Sequence, residues 1–433
     1  MLDIKFIRAN VDIVKQAVKN KNLKIDVNEL LKVDENRKKL QGEIDSLRTQ
    51  KNELAEAGKK NRPTDEQIKR GKAIKEKIIE IETEFKLVDE KYKELMWQTP
   101  QIPCSDAPLG QDETDNVEVK KWGKIKKFAF PIKDHLELGK NLDILDVEKG
   151  AKVGGYRGYY LKNEGVLLHL GLMMFAMEKM VKNGFKPFIP PTIIREFAMY
   201  GSGHFPFGKD DIYQIINSGK LADGSNVAEN KYLVGTSEPS ILAYHADEIL
   251  NETELPKKYC GFSQCYRSEI GSYGKDTRGI YRIHEFMKIE QVIFCKNDYK
   301  ESEKLHQEIT AISEEILKDM EIPYRILDIC TGDMGAGKYR MFDLESWMPS
   351  RNSYGETHSS SNLGDWQARR LNIKYQQKDG QKLFVHTLNN TAIASPRILI
   401  AILENNQQAD GSIVVPKVLR KYLPGKIKII RKK

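Results

Sequence analysis

No apolar run in this chain approaches the ~20 residues that a membrane-spanning helix requires, so the sequence argues against a membrane protein. The opening MLDIKFIRANVDIVKQ mixes charges into its first turns and lacks the apolar core of a secretory signal, so retention in the cytoplasm is expected. Cysteine is scarce. There are five, Cys104, Cys260, Cys265, Cys295 and Cys330, odd in number and irregularly spaced. That pattern argues against a disulfide framework and fits a reducing compartment. Cys260 and Cys265 are the only close pair, and no second Cys or His pair completes a zinc site, so both read as core thiols.

What is present bounds the rest. At 433 residues, 40% apolar and 30% charged, the chain can hold two or three domains and a large core. The net charge of +8 is compatible with a nucleic-acid partner without establishing one, so the placement of that charge matters more.

Residues 26–97 differ from everything after them. Val33, Arg37, Leu40, Ile44, Leu47, Lys51 and Leu54 alternate by four and three, and Ile74, Ile78, Ile81, Phe85, Val88, Tyr92 and Leu95 repeat the rhythm. This is a heptad seam. Between the two runs, Gly58 and Pro63 break one helix, and Thr64 or Asp65 is placed to cap the next. Two helices joined by a short turn give an antiparallel coiled-coil hairpin, and some 30 residues in each make an arm ~45 Å long. Its far half is basic: residues 48–77 hold ten Lys/Arg against five Asp/Glu. That surface is either a solvated face or a contact for a phosphate backbone. Residues 2–18 are expected to pack on the base of the arm, and the seam positions Arg37 and Lys51 have no functional reading.

The stretch TPQIPCSDAPLGQDETDN, with three prolines, reads as a linker and sets a domain boundary near residue 110. Beyond it, residues 134–146 read as a helix and 152–165 as a short hairpin. Helices are expected over 166–182, 239–250, 298–320 and 396–405. Strands are expected over 185–189, 232–234, 324–329, 338–345, 372–376 and 383–388. Strands and helices without βαβ regularity predict an α+β fold on a mostly antiparallel sheet. GDMGAGKY at residues 332–339 nearly matches a P-loop, but Tyr339 stands where that loop needs a hydroxyl that can ligate magnesium, so it is rejected.

One stretch organises the second domain: GFSQCYRSEIGSYGKDTRGIYRIHEFMKIE, residues 261–290. It reads as strand, long turn, strand. Arg267 and Arg282 stand on opposite arms, which suits either a polyphosphate, held by guanidinium forks, or an ordinary charged hairpin.

With these motifs in order, the chain resembles the seryl-tRNA synthetases, a class II aminoacyl-tRNA synthetase family, along nearly its whole length. The basic helical hairpin resembles that family's tRNA-binding arm. GFKPFIPP resembles class II motif one, ending at Pro191, and CYRSEIGSYGKDTRGIYRIHEFMKIE is similar to motif two. Thr236-Ser237-Glu238 stands where the family carries its T-x-E motif. DLESWMPSRNSYGETHSSSNLGDWQARR resembles the metal- and ATP-contacting stretch, and HTLNNTAIASPRILIAILENNQ resembles motif three with Arg397 as its arginine.

The resemblance implies a residue set 1–110 that grips serine tRNA and a catalytic domain over 111–433. Arg267 would hold the ATP α-phosphate, with Arg397 clamping the bent nucleotide near its γ-phosphate; these two are the expected catalytic residues. Ser268, Glu269, Ile283, Phe286, Glu356, Thr357, His358 and Ser359 complete the expected ATP site. Glu269 would accept from the adenine amino group, and Phe286 would stack on the ring. Glu356 and Ser359 would ligate Mg2+ through oxygen. Serine would be read by Thr236, Ser237, Glu238, Arg267, Glu290, Asn389 and Thr391. The implied reaction joins L-serine to ATP as seryl-adenylate, then passes the seryl group to the 3′ end of serine tRNA, with selenocysteine tRNA a further acceptor. A homodimer is implied as well. The loop at residues 270–279, with Lys275 and Arg278, would reach toward the tRNA acceptor end. His284, His358 and His386 receive no acid–base role and read as structural histidines.

Two departures stand out. Motif three has no glycine between Thr391 and Arg397, and Ser237 replaces an alanine commoner in T-x-E. The rivals are another class II ligase, including one that charges a carrier protein, and a non-catalytic RNA-binding relative. The basic tail, residues 417–433, holds eight Lys/Arg and no acid and is either a tRNA contact or a solvated end.

Overall fold

The computed structural model describes residues 1–60, 63–216, 219–220, 224, 230–270 and 279–432. The chain forms two compact units, Met1–Pro100 and Gln101–Lys433.

In the first unit, α1 (Val27–Lys60) and α2 (Asp65–Gln98) run for 34 residues each, about 50 Å at 1.5 Å per residue. Thr64 starts α2. Its hydroxyl accepts from the Gln67 N–H at 3.3 Å, and the Gln67 side chain accepts from the Thr64 N–H at 2.9 Å. That reciprocal pair satisfies donors a helix start leaves open. Leu40, Ile44 and Ile81 are buried along the seam, with Leu47, Phe85 and Val88 packed against them. Each such side chain contributes roughly 1.5–3 kcal/mol. Arg37 is structural: it meets Asp89 at 2.6 Å and lies 4.6 Å over the Tyr92 ring. Two short helices, Ile4–Ala9 and Val11–Asn20, precede the arm, and Arg8 pins them to its base through Asp34 at 2.5 Å. Farther out the seam ends. Among the described residues from 51 to 73, none is buried.

The second unit is built on one eight-stranded sheet. Its strands, in chain order, are β1 (Val117–Trp122), β2 (Lys186–Phe188), β3 (Lys257–Tyr266), β4 (Glu285–Cys295), β5 (Tyr324–Asp328), β6 (Arg340–Met348), β7 (Ser353–Asn362) and β8 (His386–Ala394). Their order across the sheet is β1-β5-β6-β7-β8-β4-β3-β2. Every pairing is antiparallel except β2 on β3. Alternation along β4 gives the sheet two different faces. Ile289, Ile293 and Cys295 point to the core, where they join Leu168, Leu172 and Met180 of α3 (Asn163–Lys182) and Ile309, Ile312 and Ile316 of α4 (Tyr299–Asp319). Phe286, Lys288 and Glu290 are left to the opposite face.

Among the described residues, three bulges break the ladder, one between Glu118 and Lys120 on the edge strand β1 and two beside the cleft. β6 and β7 pair Leu344 with His358 and then Glu345 with Glu356, so Thr357 is an extra residue. β4 and β8 pair Ile289 with Ile393 and then Glu290 with Thr391, so Ala392 is extra. Bulges of this kind re-aim side chains beside functional sites.

Several expected elements differ. Residues 152–154 finish a helix, Val147–Gly154, begun where Asp146 accepts from the Lys149 N–H at 2.9 Å; only Tyr160–Leu161 of the expected hairpin is strand. The helix over 239–250 is cut to Glu238–Ala243, and the chain turns through Asp247 (φ 62°) into a short strand, Ile249–Asn251. The expected helix over 134–146 is His135–Asn141, and Leu145–Asp146 is strand. The single strand over 383–388 is two, Lys382–Phe384 and β8, in different sheets. Residues 332–339 connect two antiparallel strands, β5 and β6, which is not the strand–loop–helix of a P-loop. All five cysteines are free and buried. Among the described residues, no helix is long and apolar enough to cross a membrane.

Burial holds His169, His358 and His386 down at about 4 and His306 at about 3, from an ordinary 6.5. Folded protein therefore refuses protons that the unfolded chain accepts between pH 6.5 and 4. The stability is fully present above pH 6.5 and is lost as pH falls, by about 2 kcal/mol per histidine at pH 5. The raised Asp343 and Glu290 carboxyls work the other way on stability, so the check is direct: NMR titration is expected to find these four imidazoles neutral at pH 5, and a protonated one there would contradict neutral burial.

Candidate active site

The β3–β4 hairpin lays an open cleft across the sheet, lined by residues that include Arg267, Glu269, Arg282, Ile283, Phe286, Lys288, Glu356, Thr357, Thr391 and Arg397. The floor is shaped by register. Phe286, Lys288 and Glu290 pair with Cys265, Ser263 and Gly261 on β3, and Gly261 lets Ser237 and Ile241 pack directly against the strand.

At one end are the arginines. Arg267 follows β3, its N–H donating to the His284 carbonyl at 3.0 Å and its Nε to the Gly235 carbonyl at 3.4 Å. Its guanidinium lies 5.4 Å over the Phe286 ring. Arg397 opens the helix α5 (Arg397–Asn405) and reaches Glu356 Oε2 at 2.9 Å, with its Nε on the Tyr281 carbonyl at 3.2 Å. Burial works against charge on Glu356, but Arg397, with Arg267 and Arg282 beyond it, holds its carboxyl below the ordinary value. Glu269 takes Arg282 at 3.2 Å and Arg157 at 3.4 Å.

The β7 bulge brings two expected metal ligands to one face. Glu356 and Ser359 are three apart, which an unbroken strand would put on opposite faces. With Thr357 extra, Glu356 lies opposite Glu345 and Ser359 opposite Asp343, themselves two apart on β6. Asp343 Oδ1 is buried with no hydrogen-bond partner. Burial and the Glu356 carboxylate push the Asp343 carboxyl well up. Oxygen donors alone, one carboxylate oxygen among them unmatched, fit a hard divalent cation. Among the described residues, no three carboxylate, thiol or imidazole groups converge on one point, so such an ion would need oxygens from elsewhere.

At the other end is a buried polar cluster. Glu238, at the start of its helix, accepts from Gln367 Nε2 at 2.6 Å and Asn389 Nδ2 at 2.7 Å. The Glu238 N–H donates to Thr236 Oγ1 at 3.4 Å, and Ser237 Oγ donates to the Gly261 carbonyl at 3.4 Å. Thr391 Oγ1 donates to Glu290 Oε2 at 3.4 Å, and Lys288 makes a close ion pair with the same oxygen. Burial raises the Glu290 carboxyl, Lys288 opposes the shift, and Glu238 adds to it.

The cleft thus gathers Arg267, Glu269, Ile283, Phe286, Glu356, Thr357, Thr391 and Arg397. Ser268 and His358 stand apart from this lining. The Ser268 hydroxyl donates to the Asp210 carbonyl at 2.8 Å, and His358 is buried with Nδ1 2.9 Å from Thr357 Oγ1. Lys275 and Arg278 lie outside the described residues. Sequence reasoning missed Lys288, Asp343, Arg157 and Gln367. For Lys288 the signal was available, two residues before Glu290 and so on its face of the strand.

The N-terminal 103 residues match the family model of the seryl-tRNA synthetase N-terminal domain, and residues 220–406 match that of the class II tRNA synthetase core domain for G, H, P, S and T. The serine–tRNA ligase of Treponema denticola is 42% identical over 428 residues, 98% of each chain. The chain belongs to the seryl-tRNA synthetase family. The serine–tRNA ligase of Dictyoglomus turgidum is 44% identical over 429 residues, again 98% of each. Among solved structures, the seryl-tRNA synthetase of Pyrococcus horikoshii complexed with ATP superposes with a TM-score of 0.87 at 38% identity, covering 100% of both chains. Seryl-tRNA synthetase architecture, a helical hairpin followed by an antiparallel class II sheet, accounts for both units described above.

Proposed function

We propose that this chain charges serine tRNA in two steps at the β3–β4 cleft. Serine and ATP first give seryl-adenylate and pyrophosphate; the 3′-terminal hydroxyl of the tRNA then takes the seryl group. The observation that carries the reading is the joining of two unlike sites by one hairpin. An arginine-lined cleft with an aromatic floor suits a nucleotide, and a buried Glu238–Asn389–Thr391–Glu290 cluster suits a small polar zwitterion.

Arg267 holds the α-phosphate, where charge develops during attack. Arg397 clamps the nucleotide on the Glu356 side, Phe286 stacks on adenine, and Glu269, Ser268, Ile283, Thr357 and His358 complete the ATP site. Glu290 takes the serine ammonium with Thr236 beside it. Asn389 and Thr391 read the hydroxyl, while Glu238 and Ser237 shape the pocket. Glu356 and Ser359 would hold Mg2+, which would supply charge neutralisation at the phosphates. The protein's own contribution is positioning and electrostatic stabilisation.

The arm, within residues 1–110, is the tRNA grip, because its outer part carries basic charge and no buried core. The catalytic domain spans 111–433. A homodimer is supported by α3: one side is core, while Val166, Leu170, Met174 and Val181 lie exposed along the other. That apolar stripe suits a second copy. The cytoplasm is the compartment where five free thiols, ATP and tRNA meet.

ATP–pyrophosphate exchange with each amino acid in turn tests this reading. Serine is expected to support exchange, with alanine rejected by on the order of 10⁴, because the hydroxyl readers would be left unpaired. Absence of serine-dependent exchange would refute it. Charging of serine and selenocysteine tRNAs in the same preparation identifies the acceptors.

A further inference from the structure

Lys288 has no part in the roles above, yet it holds the central place on the cleft floor. It is 5% exposed, lines the cleft, and is paired with Glu290. A buried ion pair is a weak source of stability, since desolvation offsets most of the attraction and apolar residues would hold the strand as well. Its position says more. Phe286, Lys288 and Glu290 share one face of β4, with about 6.8 Å between successive members. If adenine lies on Phe286 and the serine ammonium on Glu290, the bond that forms between substrates lies over Lys288. Glu238 and Lys338 are the further charges that Glu290 feels. Serine arrives as a zwitterion, and its ammonium competes with Lys288 for the Glu290 carboxylate.

We infer that Lys288 is a substrate-holding cation that passes from Glu290 to the serine carboxylate when serine binds. The pocket then reads as alternating charge: Glu290 carboxylate, serine ammonium, serine carboxylate, Lys288 ammonium. One carboxylate oxygen attacks the α-phosphorus. The new C–O–P link forms as the bond from that phosphorus to the bridging oxygen breaks, and the electron pair leaves on pyrophosphate. Lys288 stays protonated and bonds the other carboxylate oxygen, which becomes the acyl carbonyl. This inference rests on the assignment of Glu290 to the ammonium.

The test compares serine with serinamide, which keeps the ammonium and hydroxyl but has no carboxylate, by calorimetry on the full-length protein with α,β-methylene-ATP present, whose α-phosphorus cannot release pyrophosphate. Lys288→Met is expected to weaken serine at least ~10-fold, the scale of one charged hydrogen bond, and to leave serinamide within about twofold. Lys288→Arg should recover part of the loss for serine. Equal weakening of both ligands would mean that Lys288 only steadies Glu290, and no weakening of either would mean that it is a bystander; both overturn the inference. Glu290→Gln, run in parallel, should weaken both ligands; unchanged serinamide binding there would show that the ammonium seat is misplaced and remove the basis of the inference. A crystal structure of the unaltered protein with seryl-sulfamoyl-adenosine, a stable stand-in for the adenylate, decides the matter independently of any variant. The Lys288 Nζ is expected on the acyl oxygen, and an Nζ still on Glu290 alone would overturn the inference.

Discussion

Arg267→Ala is expected to lower kcat/KM for serine-dependent ATP–pyrophosphate exchange at least thirtyfold, a loss of about 2 kcal/mol of transition-state stabilisation. The reason lies in how the side chain is held. Arg267 leaves β3 with its own N–H fixed to His284 and its Nε on Gly235, so the fork is aimed before ATP arrives. Arg282, although close, is engaged with Glu269 at 3.2 Å and cannot take over without releasing it. Arg267→Lys should recover little, because a single ammonium does not reproduce a bidentate fork. Thermal melting should stay near that of the parent, separating a lost contact from a lost fold. A near-normal exchange rate would refute the α-phosphate role.

Removing residues 33–95 is expected to leave exchange intact and abolish tRNA charging. The deletion is geometrically mild because the helices run side by side, with Glu29 and Lys91 3.6 Å apart near the base, and a few glycines close the gap. Adenylate formation needs nothing from the arm, since the arginines, Phe286 and Glu290 all belong to residues 101–433. Charging needs a grip on a large polyanion, and a phosphate-backbone contact of this kind is also salt-dependent. The intact protein should therefore lose charging activity with rising salt before it loses exchange. Charging that survives the deletion would rule out the arm as the grip.

How much was legible in the sequence depended on whether water was being excluded by apolar groups. The arm was readable because its seam is a repeated apolar stripe interrupted once, at Gly58 and Pro63. The β3–β4 hairpin was readable because aromatic and β-branched residues flank a Gly/Ser turn. β7 was not. SYGETHSSSN has almost no apolar residue, yet Thr357, His358, Ser360, Ser361 and Asn362 are buried. Its residues are hidden among other polar groups, as Thr310 Oγ1 and Ser360 Oγ show at 2.9 Å, so no hydrophobic period marks the strand. Gln367 was invisible for a related reason. It reaches Glu238 from a helix 129 residues away, and no local pattern announces such a partner. Glycine turns misled at residues 152–165, where Gly154 and Gly155 end a helix that Asp146 had already started.

The extra residues at Thr357 and Ala392 give the site a parity. From Glu356 to Ser359 and from Thr391 to Ala394 the count is three, an odd step joining residues on one face of a strand, where an unbroken strand allows only even ones. The Thr357 hydroxyl is occupied within the sheet by Ser346 at 2.8 Å, and Ala392 presents only a methyl group. Ala392 matters chiefly as a number, and Thr357 does so in addition to lining the cleft. Losing either would repair the ladder and, in the same act, turn every site residue on one side of the gap to face the core.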